Sequence, residues 1–252
     1  MRNGIFAALI AIAVLGAFLV FSYLPERADR RMNVVAPSQT TVSAQALAFH
    51  RTLRIADLHA DTLLWMRDPV KRQTRGQTDV PRLKDGGFRL QVFSAVTKTP
   101  RNQNYDENTG DTDNITILAF AQRWPVKTWT SLYERTLYQS ARLHDAERRS
   151  DGALKVVRSA ADLDAALADG ALAGVLATEG AHPLEGKLEN VAGLFDAGYR
   201  VLGLHHFFDN ELGGSLHGIG NKGLTRFGED ALAAAQSLGM IIDVAHSSEA
   251  VV

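Results

Sequence analysis

The chain has 252 residues, 46% of them hydrophobic and 22% charged, with a formal net charge of −1. This composition fits a folded protein with a sizeable core, and the neutral balance excludes the basic excess of a nucleic-acid-binding domain. There are no cysteines, which excludes disulfides, thiolate metal ligands, a cysteine nucleophile and a lipid-modified N-terminal cysteine.

Arg2 precedes an uncharged run from Asn3 to Leu24, rich in Ala, Ile, Leu, Val and Phe; Pro25 and the cluster Glu26, Arg27, Asp29, Arg30 and Arg31 end it. About 20 apolar residues cross a bilayer as a helix, whereas a secretory signal has an apolar core of roughly 7–15 residues and then a small-residue cleavage site. The run is long, and the nearest candidate site, Val34-Val35-Ala36, is followed by Pro37. Residues 1–24 are therefore expected to be an uncleaved transmembrane anchor. Counting Lys and Arg on either side places the C-terminal side inward. Residues 25–45 are polar, carry Pro25 and Pro37, and read as a linker; a helix is expected from Val42 to Arg51.

Beyond it lies the main domain, residues 46–252, in which β-like runs alternate with helical ones. The strand candidates are Leu53–Leu58, Arg89–Val96, Gly174–Thr178, Arg200–His205 and Met240–Ala245. Helices are expected over Lys187–Ala197 and Thr225–Leu238, each followed by a glycine, Gly198 and Gly239, as helix C-termini often are. Strand–helix–strand alternation implies an α/β fold with a parallel sheet covered by helices. Residues 97–150 interrupt the rhythm as an excursion: a polar loop over Pro100–Asn114, then an amphipathic helix over Trp129–Arg149.

Four of the five strand candidates end in metal-competent residues: His59 and Asp61, Glu179, His205-His206, and His246. His59 and Asp61 are two apart, so on a strand they share a face, about 6–7 Å apart, and imidazole and carboxylate both ligate zinc. In a parallel (β/α) barrel the C-terminal strand ends converge on one face. That convergence points to a metal site. His50 and His144 read as helix-surface residues, and His182 and His217 as loop residues near the proposed face that could sit behind the metal ligands. Asp57 and Asp243 either orient a ligand histidine or accept backbone donors.

These motifs resemble the membrane dipeptidases, also called renal dipeptidases, a family of binuclear zinc peptidases. The resemblance runs from about Leu53 to the end of the chain. Asp57-Leu58-His59-Ala60-Asp61 is similar to the family's opening metal motif. Gln77-Thr78-Asp79-Val80-Pro81-Arg82-Leu83, with Gly87 and Gln91-Val92-Phe93-Ser94, looks like its next block. Glu179-Gly180-Ala181-His182 matches its Glu-Gly-x-His segment, and His206, 27 residues beyond Glu179, has the spacing of its substrate-facing histidine. Gly223-Leu224-Thr225, Phe227-Gly228, Leu238-Gly239-Met240 and Asp243-Val244-Ala245-His246-Ser247 complete the match.

The resemblance implies a (β/α)8 TIM-barrel-type metallohydrolase that cleaves dipeptides by attack of a metal-bound hydroxide on the peptide carbonyl, with two Zn2+ per intact chain. It implies that His59 and Asp61 bind one zinc, that Glu179 bridges both, that His246 binds the second, and that His206 approaches the substrate or its tetrahedral intermediate. Neighbours on a strand face opposite ways, so only one of His205 and His206 is expected to face the pocket, and the spacing from Glu179 points to His206. The implied partners are a dipeptide and the membrane, not nucleic acid, with a homodimer among the expected assemblies. The implied location of the catalytic domain is periplasmic or extracellular, opposite to the arginine count. The family pattern continues past His246 with another zinc histidine and a later acidic residue. The sequence is therefore expected to cover about five of the eight strands, an incomplete barrel that is inactive alone. Two other readings remain: a different metal-dependent amidohydrolase on the same barrel, although most of these open with His-x-His, and a non-catalytic envelope protein that keeps a degenerate fold.

Overall fold

The structure, a computed structural model, describes residues 2–252. It opens with α1 (Arg2–Phe18), a π-helical turn over Leu19–Tyr23, and α2 (Leu24–Met32). The whole helix, Gly4–Met32, is long and apolar enough to cross a membrane. The linker expected from residue 25 starts later, because the chain stays helical to Met32. Proline cannot donate an intrahelical hydrogen bond, but Pro25 sits directly after the π turn, where the i→i−4 ladder is already displaced.

The domain begins with α3 (Ala44–His50), whose Ser43 side chain accepts from Ala46 N. The main elements that follow are β1 (Ile55–Ala60), α4 (Val80–Asp85), β2 (Phe88–Val96), α5 (Asn114–Ala121) and α6 (Leu132–Arg149). They continue with β3 (Leu154–Val156), α7 (Ala160–Ala168), β4 (Leu172–Glu179), α8 (Glu189–Asp196), β5 (Tyr199–Gly203), α9 (Arg226–Ser237) and β6 (Ile241–Asp243). The strands pair in the order β1-β2-β4-β5-β6, all parallel. This is a helix-covered wall of barrel type, and its five main strands correspond to the five expected from sequence. The three-residue β3, which pairs with the start of β4, was not expected; Leu-Lys-Val is too short to show a period.

Strands buried on both faces read as near-continuous apolar runs. Leu172, Ala173 and Leu176 of β4, Phe93 and Ala95 of β2 and Leu202 of β5 are at most 1% exposed. Helices start where short polar side chains cap them: Asp79 for α4, Asp113 for α5, Ser131 for α6 and Thr225 for α9. The excursion is held together by Arg135. This residue is 1% exposed, and its guanidinium donates to the carbonyls of Thr97 and Thr128 and to Asp113. Gln139 and Arg142 fix this segment as a roof beside β2 by donating to the carbonyls of Val96, Leu63 and Trp65.

Candidate metal centre

The C-terminal ends of β1, β4, β5 and β6 lie on one face, and the side chains named from sequence meet there. Along β1 the register against β2 slips between Asp57 and Ala60, so β1 carries one extra residue. Such a bulge re-aims side chains and is common beside active sites. His59 is in the strand, but Asp61 lies past its end at the start of a 310 turn, with ψ 32°. Contrary to the expectation, the two do not share an extended strand; the turn brings them together instead, with His59 Nε2 3.1 Å from Asp61 Oδ1.

Glu179, the last residue of β4, is the hub. Its Oε1 lies 3.3 Å from His59 Nε2, 3.4 Å from His206 Nε2 and 3.6 Å from His246 Nε2. Two groups of ligand-competent atoms share it: His59, Asp61 and Glu179 form one, and Glu179, His206 and His246 the other, each with its atoms within 4.8 Å of one another. The backbone next to Glu179 is tight. Gly180 has φ +85°, and a Cβ there would sit 2.4 Å from the His182 ring. His246 adopts φ 61°, an uncommon left-handed conformation outside glycine, of the kind that concentrates at functional sites.

Electrostatics follow from this packing. Hydrogen bonds to Asp61 and then Glu179 raise the His59 pKa to about 10. Burial alone pushes the Glu179 carboxyl up, but hydrogen bonds from His246 and His59, with the histidine charges, outweigh it and hold the group well below the carboxylate range. Burial raises Asp61, against the His59 hydrogen bond. Burial pushes the His206 imidazole down to about 4, so it is neutral at pH 7. A cluster of carboxylates and imidazoles, all N and O donors, suits a first-row divalent cation such as zinc, which would take the place of the proton on His59.

His217, expected near the face as a group that could sit behind the metal ligands, has a definite place. Its Nδ1 is 2.6 Å from the carbonyl oxygen of Tyr105, and its Nε2 is 3.1 Å from Nδ1 of His246. A carbonyl only accepts, so His217 Nδ1 carries its proton and Nε2 accepts from His246 Nδ1–H. With Nδ1 so engaged, the His246 Nε2 is the ring atom turned to Glu179, 3.6 Å from Oε1. The ring is 4% exposed and stacks on Phe207, with centroids 4.7 Å apart.

His205 and His206 lie beyond β5, which ends at Gly203, so strand alternation does not govern them. Both approach the cluster. His206 borders a cavity of about 930 Å³ together with Asp61 and Glu179, while His205 borders a void of about 30 Å³ with His59, Glu179 and His246. Of the two, His206 shares a ligand-competent group with Glu179 and His246, as expected, whereas His205 turns its Nδ1 to Ser247 Oγ at 3.0 Å. Asp57 accepts from His59 N and Asp243 from Ala245 N, so both take backbone donors. His182 is fully buried against Phe208, and burial pushes its pKa down to about 3. His50 is exposed on α3 and bonds the Gly86 carbonyl, whereas His144 is partly buried on α6 beside Ala197.

A parallel barrel wall with N/O ligand groups converging at its strand ends has the architecture of a barrel-type metalloprotein. The chain belongs to the membrane dipeptidase family, peptidase family M19, whose family model matches residues 43–252. Among curated proteins it is similar to Dipeptidase 3 of Mus musculus, 28% identical over 240 residues, which covers 85% of this chain and 41% of the mouse protein. Dipeptidase 3 of Rattus norvegicus is 26% identical over the same shares. The chain thus spans less than half the length of these relatives. In fold it is similar to a metallopeptidase from Rhodobacter sphaeroides liganded with a phosphinate mimic of the dipeptide L-Ala-D-Ala. There the TM-score is 0.63 at 21% identity, covering 79% of this chain and 60% of the other.

Proposed function

We propose that the whole protein is a membrane-anchored, zinc-dependent dipeptidase whose catalytic domain lies outside the cytoplasm. Glu179 carries the reading. It is a mostly buried carboxylate whose Oε1 lies within 3.6 Å of three imidazoles and which both ligand groups share, in a chain of the dipeptidase family. In this reading His59 and Asp61 hold one zinc, Glu179 joins both ions, and His246 holds the second.

Two such ions, when bound, lower the pKa of a shared water and polarise the scissile carbonyl. The protein's own residues do the rest. The bridging carboxylate offsets the repulsion of two cations, and His217 orients the ring of His246. His206 is neutral and borders the large cavity, so its ring N–H is placed to donate to the oxygen that gains charge as the carbonyl becomes tetrahedral. The roof formed by α5 and the excursion narrows access to small substrates. A homodimer completes the proposed set of partners.

The test is substrate scope. Full-length protein in detergent, loaded with zinc, is expected to hydrolyse Ala-Ala and to leave Ala-Ala-Ala uncut. His206→Ala is expected to keep its zinc and lose roughly 10²–10³-fold in kcat, the scale of one oxyanion donor. Release of amino acids from the tripeptide at a similar rate would set the dipeptidase reading aside in favour of a broader amidohydrolase.

A further inference from the structure

The matched family segment begins at residue 43, yet one side of the large cavity is built by residues before it. Val20, Leu24, Ala28 and Met32 line the same space of about 930 Å³ that Asp61, Glu179 and His206 border. These four residues recur every fourth position. In an α-helix that spacing drifts by about 40° per step, and the π turn at Leu19–Tyr23, with more residues per turn, takes up part of the drift. The result is a continuous apolar stripe directed at the site.

The stripe is held in place. Asp29, on another face of α2, pairs with Arg67 at 3.2 Å; the two residues are 5% and 8% exposed. Arg75 bonds both Asp29 and Glu26, the latter at 2.6 Å. Gly76 N donates to Asn33 O at 2.7 Å, and Phe21 meets Phe120 of α5 with ring centroids 5.2 Å apart. The end of the apolar helix is thus latched to the segment that leaves β1 beside Asp61 and to the roof.

We propose that Val20, Leu24, Ala28 and Met32 form a specificity wall of the site, and that this wall receives the large apolar side chain of a dipeptide whose peptide bond lies at Glu179 and His206. The inference rests on the dipeptidase reading for its ligand. Two observations select this occupant. The cavity lies near the top of the roughly 300–1,000 Å³ range of sites that hold drug-sized ligands, more than a glycine-sized dipeptide fills. Its far side, away from the carboxylates, is apolar, with Ile115 and Leu118 of α5 facing the helix stripe.

The experiment uses full-length, zinc-loaded protein in detergent micelles and the reduced-amide isosteres of Leu-Leu and Gly-Gly, which bind without being cleaved. Calorimetry gives both dissociation constants. Wild type is expected to favour the leucine isostere at least tenfold, the scale on which apolar pockets discriminate by methylene groups. Ala28→Trp fills the cavity from the helix side and is expected to abolish most of that ratio. Leu24→Asn is a milder second variant, for use if the tryptophan prevents folding, and is expected to reduce it. Equal affinities in wild type, failure of the leucine isostere to bind, or a ratio that survives both substitutions would overturn the wall. Parallel assays with Leu-Leu and Gly-Gly keep the two proposals separate. No turnover with an intact binding preference defeats the peptidase reading alone, and turnover without preference defeats the wall alone.

Discussion

His59 and Glu179 have opposite pH dependences in the metal-free protein. His59, raised to about 10 from 6.5 by Asp61 and Glu179, contributes stability that is complete below 6.5 and lost as pH rises through the folded value. Glu179, depressed from 4.5, contributes stability present above 4.5 and lost as pH falls. The difference in Tm between metal-free wild type and His59→Gln is therefore predicted to peak between pH 4.5 and 6.5 and to shrink toward pH 10. A difference that grows above pH 7 would contradict the pairing. For His217 the prediction concerns metal. His217→Phe keeps the stack on Phe207 but removes the acceptor for His246, so zinc affinity should fall about 10–100-fold. His217→Gln, whose amide oxygen can accept the same proton, should recover part of it. Competition with a chelator measures both, and unchanged affinity in His217→Phe would remove His217 from its orienting role. The strand-end residues His59, Asp61, Glu179, His206 and His246 were legible because a parallel sheet sends its strand ends to one face. His217 was not assigned this contact, because a loop histidine acquires its partner only when residues 105 and 246 fold against it.

At the level of elements, the main strands and the helices α8 and α9 were legible from apolar runs and the glycines that follow the helices. β1 and β6 differ by about two residues from their expected bounds, since apolar residues continue past the last ladder bond. The larger difference is α2. Its charged, proline-led sequence reads as a linker, and it is held by partners 38 and 49 positions away, Arg67 for Asp29 and Arg75 for Glu26. Local propensity does not report such tertiary pairing. Asp29→Ala leaves Arg67 buried without its carboxylate, and breaking a buried pair costs about 3–5 kcal/mol. The variant is predicted to lose stability on that scale in denaturant melts of the detergent-solubilised protein, and Asp29→Leu with Arg67→Met to recover most of it. A loss below 1 kcal/mol in Asp29→Ala would show that the latch is solvated.

At the scale of the whole molecule, length decides how the anchor and the site are related. The helix Gly4–Met32 has 29 residues. At about 1.5 Å per residue it exceeds a hydrocarbon core of about 30 Å, so in the proposed anchor the C-terminal part of the helix would stand clear of the lipid, where it meets the domain. Removing residues 1–24 is predicted to move the protein from the membrane pellet to the soluble fraction, and pelleting without them would refute the anchor. The central claim is that β1, β4 and β6 deliver their ligands to one carboxylate that joins two ions. Metal content by mass spectrometry tests it most directly, in full-length protein and in Glu179→Gln, which keeps the shape and removes the charge. Two zinc ions per chain in wild type and loss of both together in Glu179→Gln are predicted. Retention of both ions, or loss of only one, would contradict the bridging role.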